Sequence, residues 1–226
     1  MGAARARPVV LIAVSLHLLL ALGFAALRVA GTAPPLRALE WPGALVMALA
    51  YALPGLLGLL ALTGRSAALL AAGVVSVPLA FTALSGISLV VLVPAALDAV
   101  GYARWRPRPP LRLPVLGLLA AIVVLGTAAL PVLASSGDDT AWCWAATVDA
   151  GGHRTYGRLV ERRPVGPSGE HSIGLAEGGP QGTTAEAGCS TGIIELPQAG
   201  LALAVIAAAL AAGLLLPAPP APRPSA

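Results

Sequence analysis

The chain reads as an all-α polytopic membrane protein of about six transmembrane helices, carrying a small disulfide-tied β-rich extracytoplasmic loop. Three observations predict this. More than half of the residues are hydrophobic (57%) against 11% charged, with a mean hydropathy of +0.84, and a soluble domain of this length needs far more charge to cover its surface. The apolar residues gather into long stretches almost free of charge. Eight of the ten acidic residues and both cysteines gather into one polar segment between the last two of those stretches.

Five apolar stretches are visible, over 8–30, 43–62, 67–100, 113–134 and 201–216. A spanning helix needs about 20 apolar residues to cross a ~30 Å hydrocarbon core. Four stretches suit one crossing each. The third, as a single helix, would be about 50 Å long, more than tilt usually absorbs. Ser85-Gly86 is a turn signal near its middle, so it reads as two short helices.

Charge placement favours that division. Arg5 and Arg7 put the amino terminus in the cytoplasm by the positive-inside rule, and Arg65 then falls on a cytoplasmic loop. With two helices in the third stretch, the cluster Arg104, Arg106, Arg108 and Arg112 is also cytoplasmic; with one helix it would be outside. The expected organisation is a membrane region over 1–134 with helices at 8–30, 43–62, 67–84, 87–102 and 113–134. An extracytoplasmic loop over 135–197, a sixth helix over 198–216 and a cytoplasmic Pro-rich tail over 217–226 follow. Trp41 and Trp105 fall at the expected interfaces, while Arg28 and Glu40 lie near the outer boundary and are expected to snorkel to water. The first stretch also carries features of a cleaved secretory signal, with small residues at Gly31-Thr32-Ala33, although Arg28 stands just before that site.

The basic residues are all Arg, and with abundant Ala, Gly and Pro this composition suggests GC-rich coding and a bacterial plasma membrane. The net charge of +4 carries no nucleic-acid signal, because its meaning lies in where the charges fall. The loop is net acidic: it holds Asp138, Asp139, Asp149, Glu161, Glu170, Glu177, Glu186 and Glu195 against four arginines.

Cys143 and Cys189 share the oxidising compartment, so one bridge between them is expected. Within the loop, 141–148 and 153–161 read as strands around the Gly-rich turn Asp149-Ala150-Gly151-Gly152, and 190–196 as a third extended piece tied back by the bridge. Residues 164–188, rich in Gly, Pro, Ser and Thr, read as an irregular connection. Alternation puts Trp142 and Trp144 on one strand face and Cys143 on the other. The two tryptophans are packing or interfacial residues first, and a contact surface for a protein or glycan second.

His17 and Asp98 are the candidates for an intramembrane polar site, since an ionisable group inside a span is a functional hypothesis by default. Their expected depths differ, however. His17 is expected to bond a neighbouring helix, and Asp98 to pair with Arg104 or reach towards water. Pro54, Pro78, Pro94, Pro114 and Pro131 read as ordinary kinks or helix ends. His153 and His171 match no metal-ligand spacing, and no nucleophile, base and ligand set is assembled anywhere. Ser85-Gly86 lacks the preceding glycine and the later histidine of an intramembrane serine protease. The Arg104–Arg112 cluster with Trp105 also suits anionic lipid head groups.

No cofactor is expected and no specific family is resembled. The leading functional expectation is a non-enzymatic integral membrane protein whose loop over 135–197 contacts an envelope protein or glycan. Besides that partner, the bilayer itself and a homo-oligomer are expected associations, and nucleic acid is not. The second is a small transporter or channel subunit, and the last a membrane-bound enzyme.

Overall fold

The computed structural model describes residues 2–81, 86–105, 112–130, 140–157, 161–164, 184–190 and 193–217. The described residues form six α-helices and a small antiparallel sheet: α1 (Gly2–Gly31), a 3-10 turn (Pro34–Leu36), α2 (Arg37–Leu62), α3 (Ala67–Phe81), a 3-10 segment (Gly86–Val91), α4 (Leu92–Trp105), α5 (Leu113–Ala128), β1 (Thr140–Val148), β2 (Arg154–Tyr156), β3 (Glu161–Pro164), β4 (Thr184–Ser190) and α6 (Leu196–Leu214).

Leu and Ala, both strong helix formers, supply most of the helical sequence, and local signals set the ends. Gly64 ends α2 at φ 101°, a left-handed position a side chain would resist. Pro114 and Pro197 sit in the first turns of α5 and α6, where the missing N–H costs nothing. Glu195 and Gln198 form a reciprocal capping box on α6, the Glu195 N–H donating to Gln198 Oε1 at 3.1 Å.

The helices pack with alternating direction. α1 and α2 form an antiparallel pair held by small residues: a Cβ on Gly58 would lie 2.7 Å from Val14 Cγ2, and one on Gly55 would lie 3.0 Å from His17 Cβ. α3 and α4 run side by side in opposite directions, Gly73 facing the Ala95 carbonyl and Leu69 approaching Gly101. Gly126 of α5 faces Val75 and Leu53, and Gly213 of α6 faces Leu57 and Leu60 of α2. Leu53, Leu57, Leu69, Val75 and Ile122 are buried where these helices meet. At one end of the bundle, Arg65 Nε donates to the Leu216 carbonyl at 3.0 Å, so the α2–α3 turn and the end of α6 are neighbours. At the other end, Val46, Ile194, Ala199 and Ala202 form a second apolar cluster beneath the sheet segment.

Among the described residues, three helical segments are long and apolar enough to cross a membrane by themselves: Ala6–Gly31, Pro34–Leu62 and Leu196–Leu214. The expected count of six spans is not supported by length. α3, α4 and α5, at 15, 14 and 16 residues, reach only ~21–24 Å along their axes. The stretch expected to divide at Ser85-Gly86 gives residues to the 3-10 segment, which leaves α3 and α4 short. Ser85 itself lies outside the described residues, as do 131–139, which include Pro131.

The sheet is three strands wide. β1 is central, pairing antiparallel with β4 along its whole length on one edge and with β2 and β3 end to end on the other. Between β1 and β2 the chain turns at Asp149–Gly152. Asp149 Oδ1 accepts from the backbone N–H groups of Gly151 and His153, each at 2.9 Å, and Gly152 adopts φ 80°. This is the turn-plus-left-handed-glycine connection suited to a three-residue hairpin loop. The sheet corrects two expectations. The third extended piece is β4, which leads into and includes Cys189, whereas Leu196 opens α6; and 184–188, expected to be irregular, are strand. Pairing with β1 overrides the low strand propensity of Ala-Glu-Ala-Gly there.

Candidate functional site

The bundle interior brings His17 and Asp98 together. His17 lies midway along α1 and Asp98 midway along α4, and Nε2 of the ring is 3.0 Å from Oδ2 of the carboxyl group. Their exposures are 1% and 0%. Close helix approach makes this contact possible. Gly55 of α2 lies under the His17 Cβ, Gly73 of α3 passes 4.0 Å from the Asp98 Cβ (measured from an added Cβ), and Gly101 of α4 admits Val10 of α1. The expected pairing of Asp98 with Arg104 does not occur: the carboxyl group bonds His17, and Arg104 is exposed near the end of α4. The expected difference in depth is not seen either, because α4 covers Leu92–Trp105 rather than 87–102, which puts Asp98 near its middle, where it meets His17.

The second carboxyl oxygen, Asp98 Oδ1, has no hydrogen-bond partner, and among the described residues it is the one buried side-chain oxygen in that condition. Buried polar atoms are nearly always paired, and an unpaired one costs about 1–3 kcal/mol. Two other buried polar side chains of the bundle are satisfied. Tyr51 donates its hydroxyl to the Leu79 carbonyl at 3.1 Å, linking α2 to α3, and Ser76 donates to the Ala72 carbonyl one turn back at 2.8 Å.

A second charged pair closes the α1–α2 junction. Arg28 Nε donates to Glu40 Oε2 at 2.7 Å, with Glu40 only 3% exposed. Both residues were expected to reach water separately; they neutralise each other instead. Gly43 makes room for the guanidinium, since a Cβ there would lie 2.8 Å from Arg28 Nε.

Between α3 and α4 lies a groove of about 310 Å³, lined by Gly73, Val77, Ala95 and Ala99 among other apolar residues. It has hydrocarbon character and offers no charged or hydrogen-bonding side chain to a ligand.

On the sheet, Cys143 and Cys189 face each other in the β1–β4 register and form a disulfide, with 4.0 Å between their Cα atoms. On the opposite face of β1, Trp144 lies over Gly188 so closely that a Cβ there would be 2.8 Å from the ring, and it meets Tyr156 edge-on at 5.5 Å between centroids. Trp142 and Trp144 are half-buried. Arg154 and Glu186 form an exposed ion pair at 2.8 Å, and the Glu186 carboxylate holds the Arg154 guanidinium above its ordinary value. Residues 149–155 at the hairpin tip are exposed, while Ala141, Cys143 and Ala146 nearer the base are buried.

Of the expected topology determinants, Arg7 is exposed on α1, Arg65 bonds Thr63 and Leu216 in the α2–α3 turn, and Arg112 is the exposed N-cap of α5. Arg5 lies within α1, and Arg104 is exposed near the end of α4. Arg106, Arg108 and His171 lie outside the described residues. Among the described residues no group of three or more His, Cys, Asp or Glu is placed to hold a metal ion. The chain matches no known protein family, and neither the curated proteins nor the solved structures contain a match to it.

Proposed function

We propose that the protein is an integral membrane protein whose disulfide-tied sheet is a recognition unit, displayed outside the cytoplasm for an envelope protein or glycan. In this reading all six helices cross the bilayer, the three short ones by local thinning of the hydrocarbon, and both termini are cytoplasmic. A shortfall of several ångströms is tolerable, because mismatch costs only fractions of a kcal/mol per ångström. Helix direction supports the arrangement: α1, α3 and α5 run one way and α2, α4 and α6 the other, so Arg7, Arg65 and Arg104 fall at one end.

The observation that carries the proposal is the contrast between the two parts of the molecule. The ionisable side chains inside the bundle are buried against one another, whereas the sheet holds an aromatic pair and an exposed Arg154–Glu186 pair on a covalently closed framework. A preorganised surface loses little freedom on binding, which favours recognition. The test is photocrosslinking in the native cells, with a reactive residue placed at Thr147, Ala150 or Thr155 and, as control, at the bundle's exposed Leu22. The reading expects adducts from the sheet positions that are absent from the control and from a variant lacking 138–195. Identical adducts from all positions would remove the case.

A small transporter is the second reading, and the observation that favours it is the buried His17–Asp98 pair.

A further inference from the structure

We propose that the His17–Asp98 pair is a proton-loading site, taking up and releasing one proton inside the helix bundle. The inference stands apart from the recognition role of the sheet.

A neutral imidazole beside a carboxylate carries a net charge of −1, and adding one proton brings the pair to zero. In a low-dielectric interior an uncompensated charge is far more costly than a neutral polar pair. The site is almost fully buried, and its ring-to-carboxyl contact is 3.0 Å. No third group settles its charge. α1 packs on α2 and α4, and α4 also packs on α3. On these helices Arg28 and Glu40 neutralise each other at the outer end, and Arg7, Arg37 and Arg104 are exposed near helix ends. Tyr51 donates to the Leu79 carbonyl, and Tyr102 is half-buried one turn beyond Asp98. Among the described side chains, the pair is left to adjust its own charge by exchanging a proton.

The unpartnered oxygen points the same way. A clasp whose only task is to hold α1 against α4 would gain from a donor on Asp98 Oδ1, yet that atom has none. It is an acceptor open to a proton or to the water that brings one. Loading forms one O–H or N–H bond within the pair and breaks one O–H bond of a hydronium ion, which is left as water. Unloading breaks the bond in the pair and returns the proton to a water molecule as hydronium, with no electron transferred.

The test uses the full chain in phosphatidylcholine vesicles. Protons taken up per chain after a step from alkaline to acidic pH are counted with a pH dye, for the wild type and for His17→Gln/Asp98→Asn, which keeps a side-chain hydrogen bond between the two helices. The wild type should take up one proton more than the double variant. Equal uptake would overturn the proposal and leave the pair a structural clasp. Infrared spectra of aspartate-labelled protein then locate the proton: a carboxylic-acid band that exchanges in heavy water and is lost in Asp98→Asn puts it on the carboxyl group. If the double variant does not fold, the spectra of the wild type and of His17→Gln decide. An Asp or His band that both titrates and exchanges, and is displaced in His17→Gln, supports loading, whereas bands that neither titrate nor exchange refute it.

Discussion

Single side chains carry most of the polarity inside this bundle, and His17, Asp98, Arg28, Glu40 and Tyr51 each meet a partner on a neighbouring helix. The His17–Asp98 contact therefore makes a sharp energetic prediction. His17→Leu leaves a buried carboxyl group with neither oxygen bonded and should destabilise the protein by about 1–3 kcal/mol. His17→Leu/Asp98→Leu replaces both partners and should recover most of that loss, because a buried pair is often no better than well-packed apolar residues. Unfolding in mixed micelles measures both, and simple additivity of the two single substitutions would contradict the account. Gly43 offers a second prediction. In Gly43→Ala the new methyl group occupies the space of the Arg28 guanidinium and should separate it from Glu40, costing about 1–3 kcal/mol as the buried carboxylate loses its donor. The same unfolding assay should show this loss, and should show almost none for Gly23→Ala, whose added Cβ meets nothing within 4 Å. The sequence made the polar residues conspicuous but not their partners. Residue type marks an ionisable group in an apolar run, whereas pairing depends on how far α4 slides along α1, and Val10, Gly55 and Gly101 decide that only once the helices are in contact.

Elements differed in how readily they could be read. The apolar runs announced α1, α2, α5 and α6, since their length and lack of charge exclude most other structures. The first strand and its turn were legible from Trp142–Trp144 alternation and from Asp149 through Gly152. β4 was not, because Thr-Ala-Glu-Ala-Gly has no strand signature, and only its register against β1, fixed by the facing cysteines, makes it a strand. The bridge should therefore be the principal support of this edge. A closed loop spanning a sequence separation of 46 gains at most ~4 kcal/mol in the chain-entropy model. With Cys143→Ser/Cys189→Ser, limited proteolysis applied from outside should cut between 149 and 190 much faster than in the wild type, while the helical signal in circular dichroism is unchanged. Equal cleavage rates would mean that the sheet stands without its bridge.

At the scale of the whole molecule, the account joins a bundle of alternating helices to a sheet lying at one end of it. The 3-10 turn between α1 and α2 touches β1, and Val46 of α2 packs with Ile194 just beyond β4, so the sheet rests on the bundle rather than hanging from it. The apolar composition agrees with three helical segments, among the described residues, that are long and apolar enough to cross a membrane, whereas the side the arginines face belongs to the proposal. Composition could not foretell helix length, because the apolar stretch over 67–100 ends as two helices shorter than the hydrocarbon core. Whether those helices nonetheless cross is the central claim, and accessibility of single introduced cysteines to a membrane-impermeant maleimide tests it most directly. The native cysteines are already bridged and do not react. The account predicts labelling of intact cells at Ala33, Gly86 and Ala150, with Thr63 and Ala103 labelled only after the membrane is opened. Gly86 labelled from the same side as Thr63 and Ala103, or Ala103 and Ala150 labelled from the same side, would contradict it.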